Sequence, residues 1–223
     1  ERPGDSWAVF VRSPHAHALI RSVDAAQARA MPGVRGVFSG ADLKAAGVPA
    51  MQIGAPFQRA DGTACATPQR YPLAVDTVRF VGEAWAVVVA DTQRQARDAA
   101  EAVLVDYEPL PAAATLQQAL GAAAMVTPQA PDNIACEARH GDAQAAAAAF
   151  ASAAHVVNLD LTHQRVAALT LEPRSVRAAW DATAARLDMH ISSQMPTAVR
   201  ANVARTLGLA PEMVRVRVGD VGG

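Results

Sequence analysis

An uninterrupted apolar run at residues 84–91, AWAVVVAD, limits how this chain can fold more than any other stretch. A short apolar run without alternation is what a buried strand requires. The helix after it is equally explicit. Asp91 or Thr92 supplies the N-cap oxygen for TQRQARDAAEAV. There Ala96, Ala99, Ala100 and Val103 share one helical face, while Arg94, Arg97 and Asp98 point away. LVDYEPLP follows as a strand stopped by Pro109 and Pro111. A strand–helix–strand unit of this length predicts a right-handed crossover.

The stretches before it also alternate strands with short helices. SWAVFVRS and ALIRSVD read as strands, and Asp24 caps the helix AAQARA. MPGVRGVFSG is a Pro-Gly turn entering a strand. GADLKAAG is a helical turn, with Asp42 near its start and Gly47 at its end. Residues 48–71, rich in Pro, Gly, Gln and Thr, make a long irregular stretch of the kind that contacts a partner or surrounds a site.

Residues 112–132 read as a linker holding one helix, TLQQALG. A domain boundary near its end divides the chain into 1–128 and 129–223. NIACEARHGD is expected to be a strand, and Asp142 caps the helix AQAAAAAFASAA, which Phe150 anchors. HVVNLDLTHQR, RSVRAAWD and ARLDMHIS are three further strand candidates, with DATAA as a hairpin joint. Pro196 sits in the first turn of the helix TAVRANVARTLG, which Gly208 closes, and MVRVRVGD is the last strand. The fold class is α+β, without internal repeats.

At 223 residues the chain holds one large or two modest domains. Hydrophobic residues make up 51%, much of it alanine, and aromatics only 4%, so packing relies on small side chains brought close together. Lys and Arg total 20 against 21 Asp and Glu, with no basic stripe, so nucleic acid and anionic membrane are not expected partners. No apolar run reaches the roughly 18 residues of a transmembrane helix. The start, ERPGDSW, lacks the apolar region of a signal peptide and has no initiating Met, so trimming is expected there. Cys65 and Cys136 lie far apart, without CxxC spacing or a nearby His. Two ordinary reduced thiols and a cytoplasmic location fit that usage.

Four stretches carry candidate chemistry, each with a plainer structural alternative. THQRVAALTLEPR holds His163, Gln164, Arg165, Glu172 and Arg174. Glu172 and Arg174 flank Pro173 and either orient a substrate or a cofactor phosphate, or make structural hydrogen bonds and ion pairs between subdomains. In SSQMP, Gln194 stands between a strand end and a helix start, where free N–H groups favour an anion or an oxo group; alternatively Ser192 or Ser193 simply caps the helix. GDVGG can aim successive N–H groups inward at an anion, or be an ordinary turn. In SPHAHA, His15 and His17 have strand spacing that suits a metal, but no third ligand is near; a polar edge strand is the alternative, and His140, His155 and His190 are likewise read as structural.

Taken in order, VRSPHAHALIRSVD, MPGVRGVFSGADL, PLAVDTVRFVGEAWAVVVADT, ARDAAEAVLVDYEPLPA, LEPRSVRAAWD, SSQMPTAVRANVARTLGL and VRVRVGDVGG resemble one family. It is the xanthine dehydrogenase, aldehyde oxidase and carbon monoxide dehydrogenase family of molybdenum hydroxylases, in the N-terminal portion of their molybdenum-binding subunit. The resemblance runs from about residue 7 to residue 223. It implies an α/β hammerhead domain over 1–128 and the start of a mixed α+β molybdenum cofactor-binding domain over 129–223.

The resemblance also implies site residues. Gln194 falls on the glutamine that lies beside molybdenum and hydrogen-bonds its oxo ligand, without ligating the metal directly. Gly222 and Gly223 match the first two positions of a GGGFG loop, so that loop is expected to continue past them. The catalytic glutamate of the family lies downstream, no residue here takes its place, and Glu172 is expected to belong to the wall around the cofactor.

The implied chemistry is hydroxylation of a carbon centre of an aldehyde, an N-heterocycle, a purine or carbon monoxide, with water as oxygen donor. Implied cofactors are molybdenum-molybdopterin, in a dinucleotide form, with 2Fe-2S clusters and FAD on partner subunits or other domains. Implied partners are the remainder of the molybdenum-binding subunit, an iron-sulfur subunit, a FAD subunit or other electron acceptor, and a small-molecule substrate. Two readings stand beside this one: a non-catalytic assembly module without cofactor, and a generic anion-binding α+β domain.

Overall fold

The computed structural model describes residues 3–51, 57–121, 124–163, 166–167 and 169–222. The chain divides into two compact units, Glu1–Ala138 and Arg139–Gly223.

The first unit contains strands β1 (Trp7–Arg12), β2 (Ala18–Asp24), β3 (Val34–Ser39), β4 (Thr77–Val78), β5 (Ala84–Ala90) and β6 (Leu104–Pro109), with helices α1 (Ala26–Ala30), α2 (Gly40–Ala45), α3 (Gln93–Glu101) and α4 (Leu116–Leu120). Among the described residues they form two three-stranded sheets, β1-β5-β3 and β4-β2-β6. Every pairing in them is antiparallel.

The apolar run becomes β5, the central strand of its sheet, and it contributes the fully buried Trp85, Ala86, Val88 and Ala90. Ala96 and Ala99 of α3 are also fully buried. Their small side chains let the helix settle closely on the sheet, and an N-cap bond from the Gln95 N–H to the Thr92 hydroxyl starts it. Asp91, the other cap candidate, instead pairs with Arg35 at 2.5 Å. The Ser39 hydroxyl and the Asp42 carboxylate make a reciprocal capping box on α2. Those bonds to Ser39 hold the Asp42 carboxyl below its usual range.

Several expectations are corrected here. β5 and β6 belong to different sheets, so β5-α3-β6 is not a crossover within one sheet. Residues 112–132 are not a free linker. Ala124, Thr127 and Ala130 are buried, and Asn133, at φ +60°, accepts from the Val126 N–H and donates to the carbonyls of Ala119 and Ala124. NIACEARHGD is irregular apart from a single bridge between Glu137 and Gln58, because the bonds that hold it come from side chains and isolated backbone contacts.

The second unit contains α5 (Ala143–Ser152), β7 (Val176–Asp181), β8 (Arg186–Ile191), α6 (Pro196–Leu207), a 3-10 turn (Pro211–Met213) and β9 (Val214–Arg217). β7 and β8 form the expected hairpin, in which Asp181 accepts from the N–H groups of Thr183 and Ala184. β8 and β9 are parallel neighbours joined through α6, so the parallel strand–helix–strand unit of this chain lies here. Met189, Ala204 and Val214 make its buried centre, with Leu187, Val203, Leu209 and Val216 packed around them.

Gly208 closes α6 in the left-handed conformation, as expected. Phe150 does not anchor α5: it is 66% exposed, and no residue of that helix is buried. Residues 155–163 are not a strand either. Val157, Leu159 and Leu161 keep the alternating pattern yet are 90%, 76% and 83% exposed, since no neighbouring strand among the described residues supplies a ladder.

Candidate functional site

Parallel pairing of β8 and β9 brings their C-terminal ends to one edge of the sheet. SSQMP leaves β8 there, and GDVGG leaves β9 there. The antiparallel β7 begins at the same edge, because Val176 pairs with Ile191 and the Ser192 N–H donates to the Ser175 carbonyl at 3.3 Å. Three segments far apart in sequence therefore meet where open sheets commonly bind ligands, beyond the carboxyl ends of parallel strands.

Glu172 joins these segments. The Ser192 hydroxyl donates to one of its carboxylate oxygens at 2.6 Å, and the Gly222 N–H donates to the other. The Thr170 hydroxyl donates to the Glu172 backbone carbonyl at 2.8 Å, which steadies the turn before β7. Both bonds to the side chain favour the charged form, the Ser192 bond most, and they hold the Glu172 carboxyl below its usual range. Gly222 is shaped by this contact: a Cβ there would lie 2.8 Å from the Glu172 Oε2 and 3.0 Å from its Cβ. Glu172 makes structural hydrogen bonds, as the plainer reading has it, but they fall inside the second unit and not between subdomains.

Gln194 is exposed, and none of the described residues takes its amide in a hydrogen bond. The N-cap of α6 is Met195, without a side-chain cap, and Pro196 at the first helical position has no N–H. The serines do not cap the helix; Ser193 accepts from the Met195 N–H at 3.1 Å, which shapes the turn just before it. The start of α6 thus keeps its partial positive charge beside a free amide that can donate and accept. That donor set suits an oxygen-rich anionic group such as a phosphate or a metal oxo group.

Gly223 lies outside the described residues, as do Gln164 and Arg165. His15 and His17 are engaged separately in a turn, not on a strand. The His15 ring meets the edge of Tyr107, and the His17 Nδ1 pairs with the Pro111 carbonyl at 2.8 Å. Among the described residues no group of three or more His, Cys, Asp or Glu can hold a metal, and no helix is long and apolar enough to cross a membrane.

Comparison with known proteins gives two family matches. Residues 1–111 match the aldehyde oxidase and xanthine dehydrogenase a/b hammerhead domain, and residues 126–223 match the molybdopterin cofactor-binding domain. The chain is 34% identical to the nicotine 6-hydroxylase large subunit of Paenarthrobacter nicotinovorans, over 99% of its own length and 26% of that protein. It is 33% identical to the carbon monoxide dehydrogenase large chain of Afipia carboxidovorans, again over 99% of its length and 28% of the relative. Among solved structures, quinoline 2-oxidoreductase from Pseudomonas putida 86 superposes with a TM-score of 0.82 at 36% identity, over 100% of this chain and 28% of that one. The chain thus spans about a quarter of the length of the relatives it matches.

Proposed function

We propose, because the chain belongs to the aldehyde oxidase and xanthine dehydrogenase family of molybdenum hydroxylases, that it forms one wall of a molybdopterin site. The fold is the one expected, a hammerhead domain followed by the start of the cofactor-binding domain. The whole protein would be an oxidoreductase that hydroxylates a carbon centre of a small molecule with water as oxygen donor. The observation that carries this reading is the convergence of Gln194, the uncapped start of α6 and Gly222 at one sheet edge.

The residues present fit the cofactor. Gln194 offers an exposed amide that would hydrogen-bond an oxo group, and Gly222, without a Cβ, would let the pterin come close; Gly223, the other proposed cofactor contact, lies outside the described residues. When bound, the cofactor supplies the two-electron redox chemistry and lowers the pKa of coordinated water. This chain's own contribution is position. Gln194 orients by hydrogen bonding, the start of α6 stabilises negative charge, and Glu172 holds the glycine segment to the end of β8. No proton transfer is assigned to these residues, and the general base is placed elsewhere in the whole protein.

A dinucleotide form of the cofactor, 2Fe-2S clusters and FAD on other subunits or domains, and a cytoplasmic location complete the proposal. The substrate class extends over aldehydes, N-heterocycles, purines and carbon monoxide. We place the boundary between the two family domains at 128/129, near the start of the second family match at residue 126, whereas the compact units part ten residues later, at 138/139.

Metal analysis and intact mass of the native complex containing this chain test the reading. Stoichiometric molybdenum with a pterin is the expected result. A folded, metal-free complex would overturn it in favour of an assembly module.

A further inference from the structure

The fold of the first unit brings together two cysteines that the proposed function does not use. The N–H of the Cys65–Ala66 peptide donates to the carbonyl of the Ala135–Cys136 peptide at 2.8 Å. The Cys65 thiol donates to the Ala66 carbonyl at 3.8 Å, and both cysteines are partly exposed. Burial, together with the adjacent sulfur of Cys136, pushes the Cys65 thiol up.

Both backbone segments are held in place around the pair. The Glu137 N–H donates to the Gln58 carbonyl at 2.9 Å. Arg59 pairs with Asp132 at 2.7 Å and also donates to the Ile134 carbonyl. On the other side, the Arg59 N–H donates to the Thr63 carbonyl, and Asp61 accepts from the N–H and hydroxyl of Thr63. The two cysteines therefore flank a backbone bond on a braced scaffold, not on two free loops.

We propose that Cys65 and Cys136 are a dithiol that closes to an intramolecular disulfide when it meets a low-molecular-weight disulfide. One cysteine, as thiolate, attacks the small disulfide; a mixed disulfide forms and one small thiol leaves. The second cysteine, losing its proton, attacks the protein sulfur of that mixed disulfide and expels the second small thiol. The protein loses two hydrogens and two electrons, and the small disulfide gains both as two thiols. In a strongly reducing compartment the pair rests as thiols, and it closes as the ratio of disulfide to thiol rises. Closure pins the turn at 58–66 to the segment 132–137. Because the bridge encloses a long stretch of chain, it restricts the unfolded state and raises the melting temperature.

The test uses the complete protein in its native complex, treated with oxidised glutathione, quenched in acid, alkylated with a maleimide and mapped by peptide mass. The expected result is a linked Cys65–Cys136 peptide, lighter by two hydrogens than the reduced pair, with no maleimide on either cysteine and a higher melting temperature reversed by dithiothreitol. Cys65→Ser and Cys136→Ser should each leave glutathione on the remaining cysteine. Maleimide on both wild-type cysteines, stable glutathione on either, or linkage between separate chains would overturn the proposal. None of these readouts depends on molybdenum, so the outcome stands apart from the cofactor reading.

Discussion

The Ser192 hydroxyl donates to the Glu172 carboxylate at 2.6 Å, and the other oxygen of that carboxylate holds the Gly222 N–H. One side chain thereby joins the start of β7, the end of β8 and the segment after β9. Removing it should free Gly222 while leaving the strands paired. Glu172→Ala is expected to speed amide exchange at Gly222 markedly, with little change in the β7–β8 hairpin. Glu172→Gln, which keeps an acceptor, should lose less protection. Unchanged exchange at Gly222 in the alanine variant would contradict the tie.

Gln194 should matter to turnover and hardly at all to folding. Its side chain is exposed and makes no bond among the described residues, so Gln194→Ala removes no packing. Loss of a group that orients a metal-bound ligand typically costs about 10- to 100-fold in activity or affinity. In the complete enzyme the variant should keep its melting temperature and lose activity in that range. Normal kcat with a normal KM would remove Gln194 from the site.

The tie predicts an acid sensitivity with a definite sign. The folded state lowers the Glu172 carboxyl below its ordinary value of 4.5, chiefly through Ser192 and then through Gly222. The stability it contributes is therefore present above 4.5 and is lost as pH falls through the lower folded value. Melting curves of wild type and Glu172→Gln should differ by a constant amount at neutral pH and converge in acid. Subtracting the variant removes other carboxylates that titrate in the same direction, such as Asp188 among Arg186, Arg215 and Arg217. A difference that grows on acidification would refute the sign.

Much of this architecture was legible in local pattern. The apolar run of β5, the alanine face of α3, the Asp142 cap of α5 and the Pro196 to Gly208 limits of α6 follow from rules that act within a few residues. The misses involve partners distant in sequence. Val157, Leu159 and Leu161 alternate correctly, but alternation specifies a face and does not supply a neighbouring strand. The same limit explains β5 and β6, whose helix suggested one sheet and whose pairing partners put them in two. Asn133 gave no signal as the hub of residues 119–133, since its role rests on φ +60° and three backbone contacts. Gln194, Gly222 and Gly223 are proposed as cofactor contacts from motif resemblance. The Glu172–Gly222 bond was not legible, because it spans 50 positions and no periodic pattern encodes it.

Close packing through small residues predicts where the first unit is least tolerant. Gly40 opens α2 directly against the loop before β4, and a Cβ there would stand 2.1 Å from the Ala74 carbonyl oxygen and 2.7 Å from that of Leu73. Both obstacles are backbone, so no rotamer change relieves them. Gly40→Ala improves helix propensity on paper, yet it should destabilise the unit by about 1–3 kcal/mol, as overpacking does. Ala99→Arg offers a second probe at a different contact, since Ala99 is fully buried between α3 and the sheet. An unpaired guanidinium forced into that position should cost about 3 kcal/mol or more. Urea unfolding of the two single variants measures both effects. A midpoint in Gly40→Ala equal to or above that of the parent chain would mean that α2 does not pack against the 73–74 backbone.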